Sequence, residues 1–456
     1  MSLEIRDKRF VVLGLARQGS ALARWLTAQG AQVTISDAKP IDQLQSEIDA
    51  LQGVDVNYAL GGHPIDLLAD CDVLCLSGGV PIDLPIVLAA KERSIPLTND
   101  AQLFVERCPA PIAGITGSAG KTTTTTLVGA MSKTAGFSTW VGGNIGNPLI
   151  SDLETITPAD KVIMELSSFQ LELMTTSPQV AAILNITPNH MDRHASMDAY
   201  IAAKRHILDY QSLEDTAVLG YDDLTARKLS GMARGYVRFF SREKTIGRGA
   251  FVKGNRVVLV QNQEIDVCGL NDIQLRGAHN VLNVLAACAI ASAMNIDPEV
   301  IAGGIRNFTG VEHRLQLVRE WNGVKFYDDS IATAPERLMA GLQAFSEPIV
   351  LLAGGRDKHL QWQAAARLIV DRVEQLILFG EMADLLQNAV EIELRSRSGS
   401  LIQIQRVATL DEAVQHAASV ARSGDVVLLS PGGTSYDAYK DFAERGDMFQ
   451  ELVLRL

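Results

Sequence analysis

The sequence predicts an α/β protein of three domains: a Rossmann-like N-terminal domain, a central P-loop-type ATPase domain with an added β-hairpin region, and a Rossmann-like C-terminal domain. Three observations predict it. Short β-branched runs alternate with amphipathic stretches three times over, as in parallel α/β domains. Several runs end in Gly, Ser, Thr or Asp clusters, where open sheets hold ligands. The chain has 456 residues, which at roughly 150 per domain suggests about three.

In the first segment, residues 1–99, strands are expected at 10–15, 32–36 and 72–77. In the second, 100–310, they are expected at 112–116, 162–166 and 180–186. In the third, 311–456, they fall at 324–327, 349–353, 376–379 and 426–429. Between 236 and 275, alternation around Lys253-Gly254-Asn255 predicts the added hairpin.

The net charge of −12 argues against a broad nucleic-acid surface, which needs a basic excess. The five cysteines, Cys71, Cys75, Cys108, Cys268 and Cys288, form no CxxC pair and read as small core residues in a reducing compartment. Residues 1–10 lack the apolar run of a signal peptide, and the apolar stretch 284–294 is too short to span a bilayer. A soluble, cytoplasmic protein with no membrane partner is expected.

The strongest signal is Gly114-Ile-Thr-Gly117-Ser118-Ala119-Gly120-Lys121-Thr122-Thr123, which follows an apolar run and opens a helical pattern over 124–135. Its glycines let backbone N–H groups turn inward onto phosphate oxygens, and the helix start adds roughly half a positive charge. Lys121 would reach the β- and γ-phosphates of ATP, and the Thr122 hydroxyl would ligate Mg²⁺. The strict Walker pattern places a glycine where this chain has Ile115, so the loop is a variant.

Gly14-Leu15-Ala16-Arg17-Gln18-Gly19 also follows a strand, with Asp37 at the end of the next, approximating a dinucleotide fingerprint in which Ala16 replaces the second glycine. This motif fits the diphosphate of NAD or of a nucleotide sugar. A nicotinamide-dependent oxidoreductase is therefore a rival class, opposed by the separate ATP-type loop at Lys121.

Further segments carry a resemblance. Gly142-Gly-Asn144-Ile-Gly146, Glu165-Leu-Ser-Ser-Phe-Gln-Leu171, Asn185-Ile-Thr-Pro-Asn-His190-Met-Asp-Arg-His194 and Tyr200-Ile-Ala-Ala-Lys204 resemble the Mur ligases of peptidoglycan precursor synthesis. So do Gly277-Ala-His-Asn280, His313-Arg314, Asp328-Asp329-Ser330 and Leu429-Ser-Pro431. The N-terminal loop and the Glu165–Leu171 block are most similar to the member that adds glutamate to UDP-linked muramoyl-alanine.

The resemblance implies a UDP-substrate domain at 1–99, an ATP- and Mg²⁺-binding domain at 100–310 and a glutamate-binding domain at 311–456, acting as a monomer on small-molecule substrates. It implies that Gly14, Leu15, Ala16, Asp37, Lys39, Ser77 and Gly78 hold the nucleotide sugar, and that Asn144 contacts the reacting phosphate or substrate carboxylate. Asn280, Arg314 and Asp329 would contact adenine, phosphate and ribose. Glu165 would ligate one Mg²⁺ beside Thr122, and His190 would help hold a second.

His190 and His194 also have a metal-binding spacing, but neither a third ligand nor an intervening glutamate completes a zinc site, and His194 reads as structural. The matching Lys204 would be carbamoylated by CO₂, becoming a carboxylate-like Mg²⁺ ligand. An ordinary lysine, with a pKa near 10.4, is neutral in only about one molecule in a thousand at neutral pH, so the site must lower that value or trap the product.

Thr333, Lys358, Ser435 and Phe442 match the residues that grip the glutamate carboxylates. The family commonly carries Asp where Asn189 stands, Lys where Ile331 stands, and P-A-C-A-S where this chain reads Pro431-Gly-Gly-Thr-Ser435. These departures leave L-glutamate as the alternative to D-glutamate. The expected chemistry is phosphorylation of a carboxylate by ATP and attack of the glutamate amine on the acyl-phosphate. Two further rivals are a folate-extending glutamate ligase, which would not need the first 99 residues, and a scaffold that has lost catalysis, opposed by Lys121, Thr122, Glu165, His190 and Lys204.

Overall fold

The computed structural model describes residues 3–189, 191, 193–358, 360–395 and 402–456. Its strands form three sheets. The first contains β1 (Arg9–Leu13), β2 (Gln32–Asp37), β3 (Val56–Leu60), β4 (Val73–Leu76) and β5 (Leu97–Thr98), all parallel, in the order β3-β2-β1-β4-β5. The order reverses between β1 and β4, so the loops after these strands open a crevice at the carboxyl edge.

The second sheet contains β6 (Ile112–Thr116), β7 (Thr139–Gly143), β8 (Lys161–Glu165), β9 (Val180–Ile183), β10 (Thr216–Gly220), β11 (Tyr236–Ser241), β12 (Gly249–Lys253), β13 (Arg256–Val260) and β14 (Glu264–Gly269). Their order is β14-β13-β12-β11-β10-β9-β6-β8-β7. The strands from β7 across to β12 are parallel, and β13 and β14 add antiparallel to β12. The expected hairpin is there, turning at Gly254, whose φ of +59° suits glycine, and it carries one strand more than the sequence pattern predicts.

The third sheet contains β15 (Gln316–Trp321), β16 (Val324–Asp328), β17 (Ile349–Gly354), β18 (Val373–Phe379), β19 (Gln403–Arg406) and β20 (Val426–Gly432). They run β15-β16-β20-β17-β18-β19, with β15 antiparallel to β16 and the rest parallel.

Residues up to Ile273 together with Ala278–Phe308 form one compact unit, and Gln274–Gly277 with Thr309–Leu456 form another. Within the first unit one apolar core runs through two sheets, joining Phe10, Trp25 and Leu26 to Leu149, Leu153 and Met164. The helix Arg17–Ala28 supplies part of it by burying Leu22, Ala23, Trp25 and Leu26 along one face. The second unit packs Leu338, Ile349, Leu351 and Leu376 on one side of its sheet and Phe326, Leu352, Val427 and Phe449 on the other. Parallel strands covered on both faces are apolar throughout, as β6 and β17 are. What remains polar lies at their carboxyl ends.

Candidate active site

The phosphate loop leaves the buried strand β6 and enters the helix Lys121–Thr134, with Gly120 as its N-cap at φ +83°. A side chain at Gly120 would collide with the Asn283 amide. Asn283 in turn donates to Asn280 Oδ1 at 2.8 Å, which ties the predicted adenine contact to the loop. Asn185, just past β9, grips the loop from outside. Its carbonyl accepts from Ser118 N at 3.0 Å, its Oδ1 from Ala119 N at 2.9 Å, and its Nδ2 donates to Ala119 O at 3.1 Å. Ser118 Oγ lies 3.1 Å from the buried Tyr200 hydroxyl. Sequence reasoning assigned no role to Asn185, Tyr200 or Asn283; the position of Asn185 beyond a strand end was the available signal.

Glu165 ends β8, and its carboxylate is buried. Thr122 Oγ1 donates to its Oε2 at 2.9 Å and Asn144 Nδ2 to its Oε1 at 2.9 Å, so three predicted residues meet at one group. Asn144 is set by its own backbone, whose N–H donates to Glu165 O at 2.9 Å.

Lys204 lies on the buried face of the helix Met197–Asp209, among Tyr200, Ala203, Ile207 and Leu208. Its Nζ reaches Thr116 Oγ1 at 3.2 Å and Gly117 O at 3.1 Å. Lys121 Nζ donates to the same Gly117 carbonyl at 2.9 Å. Burial, then the neighbouring Lys121 charge, lower the Lys204 pKa to about 7, against a smaller opposing pull from Glu165. Near neutral pH a large fraction of this amine is therefore an uncharged nucleophile.

The remaining expected metal ligand, His190, lies outside the described residues. His194 is buried, with Nε2 2.9 Å from Ser168 Oγ and its ring stacked on Phe169. Among the described residues no group of three or more His, Cys, Asp and Glu side chains converges. A hydroxyl and a carboxylate do converge at Thr122 and Glu165, and hard oxygen donors in small number suit Mg²⁺, which keeps several waters.

At the first sheet, Gly14 (φ +91°) begins the turn after β1. A Cβ at Gly19 would fall inside the Gly14 carbonyl, so only glycine lets the helix start so close to the strand end. Asp37 closes the turn, accepting from Leu15 N at 2.7 Å and Lys39 N at 2.9 Å. Ser77 Oγ donates to Gly14 O at 3.1 Å, and Gly78 N to Gln18 Oε1 at 3.1 Å. Ala16 is the N-cap of the helix and makes no side-chain cap bond. Gly14, Leu15, Asp37, Ser77 and Gly78 are thus tied together at the carboxyl edge of this sheet, where Arg193 Nη2 donates to Gly79 O at 2.8 Å.

In the second unit, Asp329 follows β16 and is turned inward. Ser430 Oγ donates to its Oδ2 at 2.9 Å and Leu315 N to its Oδ1 at 3.3 Å. Burial is the largest influence on it and raises its pKa to about 7. Arg314 is close enough to act on that carboxyl electrostatically. Thr333 and Lys358 meet, Nζ to Oγ1 at 3.4 Å, and burial lowers the Lys358 pKa. Ser435 is buried, whereas Phe442 is partly exposed and sets its ring edge to His313.

Arg445, which sequence reasoning missed, is fully buried. Its guanidinium donates to Ser330 Oγ at 3.0 Å, Ser330 O at 2.9 Å and Gly433 O at 3.1 Å, binding the loop after β16 to the loop after β20. No local sequence signal marks it; only the tertiary fold gives it these partners.

Phosphate loop, hydroxyl–carboxylate pair, buried lysine and nucleotide crevice together describe an acid–amine ligase, and the known proteins agree. The chain matches the MurD-like N-terminal domain of Mur ligases over residues 8–99, the Mur ligase middle domain over 115–291 and the Mur ligase glutamate ligase domain over 313–433. It belongs to the Mur ligase family.

Within that family it is 43% identical over 452 residues to the UDP-N-acetylmuramoylalanine–D-glutamate ligase of Acetivibrio thermocellus, covering 99% of this chain and 97% of that protein. It is 41% identical to the ligase of the same name from Pelotomaculum thermopropionicum, covering 100% of this chain and 99% of that one. Among solved structures it shares its fold with UDP-N-acetylmuramate–alanine ligase of Thermotoga maritima, at TM-score 0.58 and 19% identity over 98% of this chain and 99% of that one.

Proposed function

We propose that this protein is an ATP-dependent ligase that adds D-glutamate to UDP-N-acetylmuramoyl-L-alanine through an acyl-phosphate, in peptidoglycan precursor synthesis. The observation that carries it is the meeting of Thr122, Asn144 and Glu165 beside the phosphate loop, in a chain 43% identical throughout to a ligase named for that reaction. Residues 1–99 would hold the UDP substrate, 100–310 ATP, and 311–456 glutamate, in the cytoplasm where these substrates are made. Among the described residues no helix is long and apolar enough to cross a membrane.

ATP would lie with its phosphates on the N–H groups of the Gly117–Thr123 loop, under Lys121, with adenine beside Asn280. Two Mg²⁺ ions, one at Thr122 and Glu165 and a second that His190 helps hold, with a carbamate on Lys204 as a further ligand, would screen the repulsion between substrate carboxylate and γ-phosphate. The chain's own work is positional. Asn144 orients the reacting groups, and Lys121 tracks charge moving onto the phosphoryl oxygens. The low pKa of Lys204 supplies the neutral amine that CO₂ addition requires. In the second unit, Lys358 and Thr333 offer a cation and a hydroxyl to a glutamate carboxylate, with Ser435 and Phe442 as the remaining proposed contacts.

The test is phosphate release from ATP with UDP-N-acetylmuramoyl-L-alanine and D-glutamate, L-glutamate or no amino acid. Release stimulated by D-glutamate is expected. Stimulation by L-glutamate alone would reverse the acceptor, as the Ile331 and Gly432-Gly433 departures allow, and stimulation by neither would end the assignment.

A further inference from the structure

The ligation joins two groups that the chain holds on different sheets. The nucleotide sugar belongs to the loops after β1 and β4 of the first sheet, and the γ-phosphate to the loop after β6 of the second. An error of about 1 Å between reacting groups costs roughly a hundredfold in rate, so the spacing of these loops has to be fixed. Polar contacts fasten the sheets away from the substrate loops. Glu154 Oε1 accepts from Trp25 Nε1 at 3.2 Å and Gln29 Nε2 at 2.9 Å, at the far end of the helix Arg17–Ala28. Asn99 Nδ2, beyond the edge strand β5, donates to Gln170 O at 2.8 Å. Arg193 fastens a substrate loop itself. Its Nη2 donates to Gly79 O at 2.8 Å, next to Gly78 in the loop after β4. Its Cζ lies 5.1 Å from the centre of the Phe169 ring, so a carbonyl and a π face together restrict a side chain otherwise exposed to water. Phe169 is itself seated, stacked on His194 at 5.3 Å with the rings parallel to within 1°. The His194 ring lies 5.1 Å from that of Tyr200. Tyr200 reaches the phosphate loop at Ser118 Oγ, 3.1 Å away, and its ring centre is 4.8 Å from Lys204 Nζ. Arg193 thus stands between Gly79 and a series of packed rings that ends on the phosphate loop.

We propose that Arg193 is a positioning residue for phosphoryl transfer: by pinning loop 77–80 to the stack of Phe169, His194 and Tyr200, it sets the distance from the substrate carboxylate to the γ-phosphate. This rests on the reading of the loops after β1 and β4 as the nucleotide-sugar site. Each ligand keeps its own contacts when Arg193 is lost, so the two bind as before and only their meeting suffers.

The experiment compares the full chain with Arg193→Met, Arg193→Lys, Phe169→Leu and the double variant Arg193→Met with Phe169→Leu. For each, ligation kinetics are joined to calorimetric titration with UDP-N-acetylmuramoyl-L-alanine and, separately, with ADP, and to a thermal melt. Arg193→Met, which keeps length but loses charge and donor, should lower kcat about tenfold to a hundredfold. The two dissociation constants should change by less than about twofold. Arg193→Lys, which can still donate to Gly79, should recover part of the rate. Phe169→Leu should lower kcat on its own and add little to the loss from Arg193→Met, since both act through one contact. An unchanged kcat in folded Arg193→Met would overturn the proposal while leaving the ligase reading intact. A matching loss of nucleotide-sugar affinity would also overturn it, by making Arg193 a binding residue. So would a rate loss that follows the melting temperature across the variants, the mark of a structural residue. Failure of the unmodified protein to bind UDP-N-acetylmuramoyl-L-alanine would remove the nucleotide-site reading, and the proposal with it.

Discussion

Lys204 fills a place in the buried stripe of its helix, between Tyr200 and Ile207, that an apolar residue would ordinarily hold. A cation there works against folding, since its pKa falls from 10.5 in the unfolded chain to about 7. The unfolded chain holds that proton more tightly, so this group's contribution to stability rises as pH rises from about 7 to 10.5, and its full penalty is present below about 7. Replacing Lys204 with Met should therefore raise the unfolding temperature at pH 6 while lowering ligase turnover by about a hundredfold or more. A variant both less stable at pH 6 and fully active would show that Lys204 is only a packing residue. Glu165→Gln keeps the shape but cannot accept from both Thr122 and Asn144. Turnover should fall by about a hundredfold, and the Mg²⁺ concentration needed for half-maximal rate should rise. These residues were legible through the motifs around them, Tyr200-Ile-Ala-Ala-Lys204 and Glu165-Leu-Ser-Ser-Phe-Gln-Leu171, and not from their position in a helix or strand. Asn185 and Arg445 were not, because their partners are carbonyls and amides supplied by distant loops.

Elements position these groups by close approach. Gly19 allows the helix Arg17–Ala28 to begin against the Gly14 carbonyl and Ser77 hydroxyl. Gly19→Ala should cost about 1–3 kcal/mol of stability by overpacking and weaken UDP binding more than ATP binding. Denaturant unfolding and separate nucleotide titrations would check this; unaltered UDP affinity would contradict it. Arg445→Met should leave the Ser330 and Gly433 carbonyls short of a donor, at about 1–3 kcal/mol each, and raise the KM for glutamate with that for ATP little changed. The expected strands at 10–15, 112–116 and 349–353 all exist because buried parallel strands read as apolar runs. The edge strands β3, β7, β15 and β19 were missed, since one exposed side breaks the run; β19, Gln-Ile-Gln-Arg, has almost no apolar content, and the interior strand β10, Thr-Ala-Val-Leu-Gly, was missed as well although four of its five residues are buried. β5 was too short to stand out, with only two residues.

The whole molecule combines three alternating α/β patterns, legible from punctuation and length, in two compact units whose cores were not. The continuous core beneath the first two sheets packs the amphipathic face around Trp25 against the short helical turn around Leu149, and that turn is too short to carry a distinctive period. Buried acids add a pH signature at this scale. Burial raises Asp100 to about 6 and Asp329 to about 7, so the folded state holds their protons more tightly than the unfolded chain. Their contribution to stability is present below about pH 4 and is lost as pH rises through those values, with Lys204 acting in the opposite sense above pH 7. Asp329→Asn should flatten the decline between pH 4 and 7 in calorimetry; an identical pH profile would show that the carboxyl is ionised without penalty.

The central claim is that a substrate carboxylate takes a phosphoryl group before the amine attacks. Enriching the alanyl carboxylate of UDP-N-acetylmuramoyl-L-alanine in heavy oxygen and weighing the released phosphate tests it directly. One substrate oxygen should appear in the phosphate for each amide formed. Amide formation with unlabelled phosphate would contradict the acyl-phosphate route and, with it, the roles of Thr122, Asn144 and Glu165 in stabilising phosphoryl transfer.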